Sequence, residues 1–195
     1  MGLVASGRGR RLAAAAVLLV TVGVPALADT QDQGSVPAVW APKELRFVYM
    51  GFTSRYSCDG LRDTMRRVLL QLGARKDMQL TETPCTDFSR PTRLPGVYMK
   101  INVLQPADAK SDAPTVPAHW QSVDVSRISG TGDPLQDAGQ CELVEQIKQS
   151  VLPLFNPRKV QYNSTCVPHQ LTVGGTTLKA EVLIADQPDK AAAGK

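Results

Sequence analysis

Residues 58–85 read CDGLRDTMRRVLLQLGARKDMQLTETPC, and residues 141–166 read CELVEQIKQSVLPLFNPRKVQYNSTC. Each begins and ends at a cysteine, and the chain holds four cysteines in all. In the first stretch Leu61, Met65, Leu69 and Leu72 recur at helical spacing, with Val68 beside them and Arg62, Asp63, Arg66 and Arg67 on the other side. That is an amphipathic helix. Ser54 and Ser57 are its candidate N-caps, and Gly73 its C-terminal cap. Met78–Thr83 then reads as a short strand, closed by Pro84-Cys85. In the second stretch Leu143, Ile147 and Val151 mark the buried stripe, and Glu142, Glu145, Lys148 and Gln149 are expected to face out. Pro153 and Pro157 stop that helix, and Val160–Thr165 reads as a strand.

Working outward, each stretch is flanked by strands. Leu45–Phe52 is rich in aromatic and branched residues. In Val97–Leu104 the residues Val97, Met99, Ile101 and Val103 share one face, and Tyr98, Lys100, Asn102 and Leu104 the other. Such alternation predicts a sheet buried on one side and wet on the other. Trp120–Ile128 and Leu178–Ile184 alternate in the same way, with Gly174-Gly175 as the turn before the last strand. A shift of 82 lays the first helix stripe on the second, and a shift of 79 lays Lys100, Val103 and Leu104 on Lys179, Val182 and Leu183. The expected fold is therefore α+β: two tandem β-α-β-β repeats joined into a six-stranded, mainly antiparallel sheet with both helices on one face. The boundaries read as follows: 29–42 a flexible lead-in, 43–104 the first repeat, 105–117 a linker, 118–185 the second repeat, 186–195 a flexible tail.

Residues 1–28 have the pattern of a secretory signal peptide. Arg8, Arg10 and Arg11 precede an apolar run from Leu12 to Val24, and Ala26-Leu27-Ala28 has the small-x-small form of a cleavage site. The Arg10-Arg11 pair is read as ordinary n-region charge. The chain carries 22 basic and 18 acidic residues. Without the three arginines of that segment the balance is 19 to 18. A nearly neutral mature chain lacks the basic footprint of a nucleic-acid binder. No second stretch reaches membrane-spanning length, so no stable membrane span is expected after signal removal.

Export to an oxidising compartment makes four cysteines read as two disulfides. Cys58–Cys85 with Cys141–Cys166 is the pairing that keeps each bond inside one repeat. Each closes a loop of 26 to 28 residues, which in the chain-entropy model adds roughly 3–4 kcal/mol. A zinc site is not supported, since there is no C-x-x-C and neither His119 nor His169 stands at ligand spacing from a cysteine pair. No metal or other cofactor is expected.

Catalytic signatures are absent from the sequence: there is no G-x-S-x-G elbow, and Ser129-Gly130-Thr131-Gly132-Asp133 lacks the lysine and spacing of a phosphate loop. Asp133-Pro134 reads better as a helix start. Asn163-Ser164-Thr165 is a glycosylation sequon only in a eukaryotic setting. The Arg62, Arg66, Arg67 stripe reads as a solvated face. The candidate binding surface is the sheet face away from the helices, with Tyr98, Lys100, Asn102, Lys179 and Glu181. One aromatic among charged and amide groups suits polar recognition. The sequence thus describes a periplasmic or secreted, disulfide-stabilised binding or accessory protein without enzymatic activity, whose partner is an unknown protein or envelope component. A small secreted hydrolase with a site dispersed along the chain, and an inhibitor of a secreted enzyme, are the alternatives.

Overall fold

The structure is a computed structural model, and it describes residues 34–52, 56–83, 94–108, 113–126, 140–167, 169–170 and 175–186. Its first helix, α1 (Cys58–Gln71), begins where Ser57 accepts a hydrogen bond from the Gly60 N–H at 3.2 Å. That cap satisfies one of the donors a helix start leaves open. The helix ends with Gly73 N–H on the Leu70 carbonyl and Ala74 N–H on the Leu69 carbonyl, a Schellman closure that needs positive φ at Gly73. A side chain at Gly73 would also run into Ile184 and the Leu183 carbonyl.

The other elements are β1 (Val36–Val48), β2 (Gln79–Glu82), β3 (Gly96–Pro106), β4 (Val116–Asp124), α2 (Cys141–Ser150), β5 (Arg158–Ser164) and β6 (Thr176–Ala185). The fold is α+β. Six strands form one sheet in the order β2-β3-β1-β4-β6-β5, and every pairing is antiparallel. Val36–Ala38 of β1 against Val116–Ala118 of β4 makes the central seam. No helix among the described residues is long and apolar enough to cross a membrane.

Both helices lie on one face of the sheet, because their apolar stripes enter a single core. Leu61, Met65, Leu69 and Leu72 of α1 and its cap pack with Leu143, Val144 and Ile147 of α2 over Phe47, Val97, Met99, Val103, Leu178 and Val182. After α2 the chain tightens into a 3-10 turn, Leu152–Phe155, with Pro153 near its start. Asn156, at φ 45°, then turns the chain into β5.

Three expectations are corrected. Residues 36–42 are strand, not part of a flexible lead-in, and β3 and β4 take Gln105, Pro106, Val116 and Pro117 from the expected linker. Pro42 is tolerated because the Asn102 carbonyl opposite it accepts from the Arg75 N–H on the β2 side. Residue pair 42/102 therefore carries no ladder bond, and the missing N–H of Pro42 falls on the far edge of β1, beyond the β4 seam. Pro37 and Pro117 face each other at the seam and serve as acceptors, from Ala107 N–H and Asp186 N–H at 3.0 Å each.

Second, Glu142 does not face solvent. It is 6% exposed. Its carboxylate accepts the Phe52 N–H at 2.7 Å and the His169 N–H at 3.0 Å, so two backbone donors from distant segments replace its water. Beside it, Gln146 takes both polar groups of the Met50 backbone at 3.0 Å each. Those bonds draw the chain away from β3, which is why β1 ends at Val48 rather than Phe52.

Third, the open face is not wet across its middle. Leu104, Ala38, Ala118 and Leu183 are buried there, with Val36, Trp40, Val116, Trp120 and Ala185 packed around them. Cys141 is bonded to Cys166, their α-carbons 5.7 Å apart. Cys58 is disulfide-bonded too, while Cys85 lies outside the described residues. So do the 129–133 loop, the Asp133-Pro134 helix start, the Gly174 half of the last turn, and the segments read as signal peptide and tail, apart from Asp186.

Candidate functional site

Register places the five candidate side chains on the open face, since Val97, Met99, Ile101, Leu178 and Val182 between them face the helices. It does not bring them together. Tyr98, Lys100 and Asn102 stand on β3, Lys179 and Glu181 on β6, with β1 and β4 between. They form two clusters at opposite ends of the face.

In the first cluster, Glu44 lies opposite Lys100 and Arg46 opposite Tyr98. The Tyr98 hydroxyl donates to Glu44 Oε2, and Lys100 Nζ stands 3.4 Å from Glu44 Oε1. The Tyr98 hydroxyl, and then Lys100, hold the Glu44 carboxyl below its ordinary range, and the same contact raises the Tyr98 phenol. Asn102 Nδ2 is 3.5 Å from Asp77 Oδ1. The Arg75 guanidinium grips Asp77 through Nε at 2.9 Å and Nη2 at 2.7 Å, which lowers the Asp77 carboxyl. The same guanidinium lies 5.5 Å from the centre of the Trp40 ring. Among these groups is a shallow hollow of about 240 Å³, walled by Glu44, Asp77, Gln79, Lys100 and Asn102, with Pro42, Lys43 and Ile101 completing it.

The second cluster is closed by its own ion pairs. Glu181 accepts from Lys159 Nζ at 2.8 Å and Arg158 Nη2 at 3.2 Å, and Lys159 foremost lowers its carboxyl. Lys179 Nζ is 3.7 Å from Asp124 Oδ2. The Arg158 guanidinium stacks 3.7 Å above the centre of the Trp120 ring, a cation–π contact.

Trp40, Trp120, Arg75, Arg158, Glu44, Asp77 and Asp124 were not singled out from the sequence. A signal was there: a shift of 80 lays Ala38, Trp40 and Glu44 on Ala118, Trp120 and Asp124. It falls mostly in the segment read as a lead-in.

The histidines find structural partners. His169 packs its ring against Phe52, centroids 3.9 Å apart. His119 Nδ1 meets Asp186 Oδ1 at 2.6 Å, and Ser35 Oγ donates to Asp186 Oδ2 at 2.7 Å. The carboxylate sits in the middle of this trio. A nucleophilic triad needs the imidazole between hydroxyl and carboxylate, so Ser35 is not activated here. Instead the trio ties the start of β1 to the end of β6. Among the described residues no group of three His, Cys, Asp or Glu side chains is placed to hold a metal.

No family model matches this chain, and no curated protein or solved structure is detectably similar to it.

Proposed function

We propose that this chain is an exported, disulfide-stabilised binding or accessory protein of the cell envelope, periplasmic or secreted, without catalytic chemistry of its own, and that the open face of its sheet is the recognition surface. The observation that carries the reading is the layout of that face. Two tryptophans with stacked arginines flank a small apolar centre, and charged and amide groups stand at both ends. An apolar centre with a polar rim, rich in Trp and Arg, is the anatomy of recognition surfaces. The Cys141–Cys166 bond is compatible with an oxidising compartment. The chain is also read as a duplicated β-α-β-β unit. Trp40 opposite Leu104 and Glu44 opposite Lys100 are matched by Trp120 opposite Leu183 and Asp124 opposite Lys179.

Capture of envelope fractions on immobilised protein tests the recognition surface. Changing Lys100→Glu and Lys179→Glu together should abolish specific capture and leave the melting temperature within a few degrees, because exposed charges contribute little to stability. Arg66→Glu with Arg67→Glu, exposed on α1, should leave capture intact. Equal capture by all three proteins removes the open face from consideration. Export is checked separately: N-terminal sequencing of exported material should begin at or near Asp29.

A further inference from the structure

Among the described residues β5 is the last strand on its side of the sheet, and most of it is exposed. Which of its residues turn their backbone outward follows from β6. Leu178 donates its N–H to Ser126 Oγ at 2.7 Å and accepts the Val125 N–H on its carbonyl at 2.9 Å. Both polar groups of Leu178 thus face β4. Tyr162, its register partner on β5, makes no ladder bond and turns its N–H and C=O outward, as does Ser164 two residues on. We propose that this edge is an interface between copies of the chain. Two protomers join antiparallel about a twofold axis at Asn163, and their sheets become continuous. The proposal goes beyond the open-face reading and does not depend on it.

A second copy fits because the edge is complementary to itself. The part of β5 in regular register with β6 runs from Gln161 to Ser164, and its outward residues are Tyr162 and Ser164. A twofold about Asn163 lays Tyr162 against Ser164 of the second copy and Ser164 against its Tyr162. Every outward N–H then meets a carbonyl. Asn163, exposed on the open side, faces its own mate, and since a side-chain amide both donates and accepts, the two satisfy each other. Charge agrees. Residues 161–164 carry neither charge nor proline, the usual guards of a natural edge. Lys159 lies before this stretch, so it stands roughly 26 Å from its mate at about 3.3 Å per residue. That exceeds a Debye length of about 10 Å. Nearer the axis Tyr162 carries one acid and one base of α2, Glu145 Oε1 at 2.9 Å from its hydroxyl and Lys148 Nζ at 3.9 Å from its ring centre. These offset one another in each copy.

The opposite edge of the sheet is guarded. β2 spans only Gln79–Glu82, and Arg62 binds both Glu82 and Asp63 beside it. Charged side chains along an edge keep strands from pairing. At β5 the chain beyond Ser164 is drawn onto the helix side, by the Cys141–Cys166 bond and the His169 N–H on Glu142. The register shift between Arg158 and Gln161 confines the pairing to a short stretch, so the dimer is a weak one.

The experiment combines sedimentation equilibrium with amide hydrogen exchange on the exported chain, its disulfides intact. So short a ladder belongs with the smallest specific interfaces, and dimerisation is expected with a Kd on the order of 0.1–1 mM. At about 1 mM chain, the upper end of that range, the Tyr162 and Ser164 amides should exchange more slowly than in dilute solution. The Asn163 amide, on the β6 side of the ladder, should not change. Asn163→Lys sets two like charges on the axis and should weaken association at least tenfold. Mixing that variant with Asn163→Glu should restore it. Asn163→Cys should cross-link two copies through position 163, as peptide mapping can show, whereas Thr81→Cys on β2 should not. The amide spectrum of each variant reports on its fold. A monomer at about 1 mM, the top of the expected Kd range, overturns the proposal. So does association that leaves the Tyr162 and Ser164 amides unprotected or survives Asn163→Lys, because another surface then joins the copies. Cross-linking of Thr81→Cys as fast as that of Asn163→Cys overturns it too.

Discussion

The two ends of the open face are built to one plan and finished differently. At each end a tryptophan faces a leucine across the ladder, an arginine lies over its ring, and an acid on the inner strand faces a lysine on the outer one. The finish depends on one position. Asn102 on β3 corresponds to Glu181 on β6, each two residues beyond the lysine. The amide leaves Arg75 to an outside carboxylate, Asp77, and a hollow remains. The carboxylate draws in Arg158 and Lys159 directly. Lys159 reaches it from an irregular stretch of β5, where register with β6 shifts between Arg158 and Gln161 and Lys159 adopts positive φ. One side chain thus separates an end where two cations converge on a carboxylate of β6 from an end that keeps a shallow hollow.

The helix starts differ as well, and there the consequences are energetic. Helix α1 is capped locally by Ser57, whereas the N-cap residue of α2, Gln140, makes no side-chain cap bond. The start of α2 is held by tertiary devices instead: the Cys141–Cys166 bond and the buried Glu142. Removing them should cost more than removing a cap, which is worth about 1 kcal/mol. The largest effect is expected from Cys141→Ala with Cys166→Ala, at roughly 3–4 kcal/mol for a loop of this length. For a chain of this size that corresponds to roughly 6–16 °C in Tm. Thermal unfolding with the other disulfide intact measures it, and a loss under about 3 °C, or ~1 kcal/mol, would mean the bond only decorates the helix start.

Glu142→Ala comes next, at about 3 kcal/mol, since it strands two backbone N–H donors in a buried site and deletes two charge-assisted bonds. Its counterpart under the helix shift is Gly60, whose N–H is served by Ser57 and Asp59 side chains. Ser57→Ala should therefore cost distinctly less than Glu142→Ala by chemical denaturation. Equal costs would show that the two helix starts are held alike after all.

These contrasts also mark what the sequence made legible. Both helices, the Cys141–Cys166 bond and the faces of residues 97–104 and 178–184 follow from period and spacing, because each depends on neighbours in the chain. Glu142 was misplaced because periodicity puts it on the outer stripe of α2, and only the distant Phe52 and His169 backbones explain its burial. The strand around Trp40 was missed because Pro37 and Pro42 read as breakers. They are harmless where the chain assembles: one lies at a seam as an acceptor, the other on an unpaired edge. The hollow was invisible for a related reason. Lys100 and Asn102 were legible as a face, but Asp77 and Arg75 come from the connection between α1 and β2, which has no period to read.

The smallest effect tests the finishing position itself. The Glu181 side chain is partly buried, but its partners Arg158 and Lys159 are exposed and solvent screens the pairs, so Glu181→Asn should change stability at neutral pH by less than about 1 kcal/mol, the usual limit for exposed ion pairs. The informative readout is the acid limb. In the wild type Lys159 and Arg158 hold the Glu181 carboxyl below its ordinary value. A depressed carboxyl contributes stability that is present above its unfolded-state value and is lost as pH falls through the folded one. Wild type should thus lose stability more steeply than Glu181→Asn below the ordinary carboxylate range of about pH 4, and the two curves should converge at the acid end. The reciprocal change, Asn102→Glu, places a carboxylate beside Asp77 and within reach of Arg75. It should close the hollow and steepen the acid limb. If Glu181→Asn and Asn102→Glu move the acid limb in the same direction, position 102/181 does not decide how each end is finished, and the likeness between the two ends stops at the tryptophans.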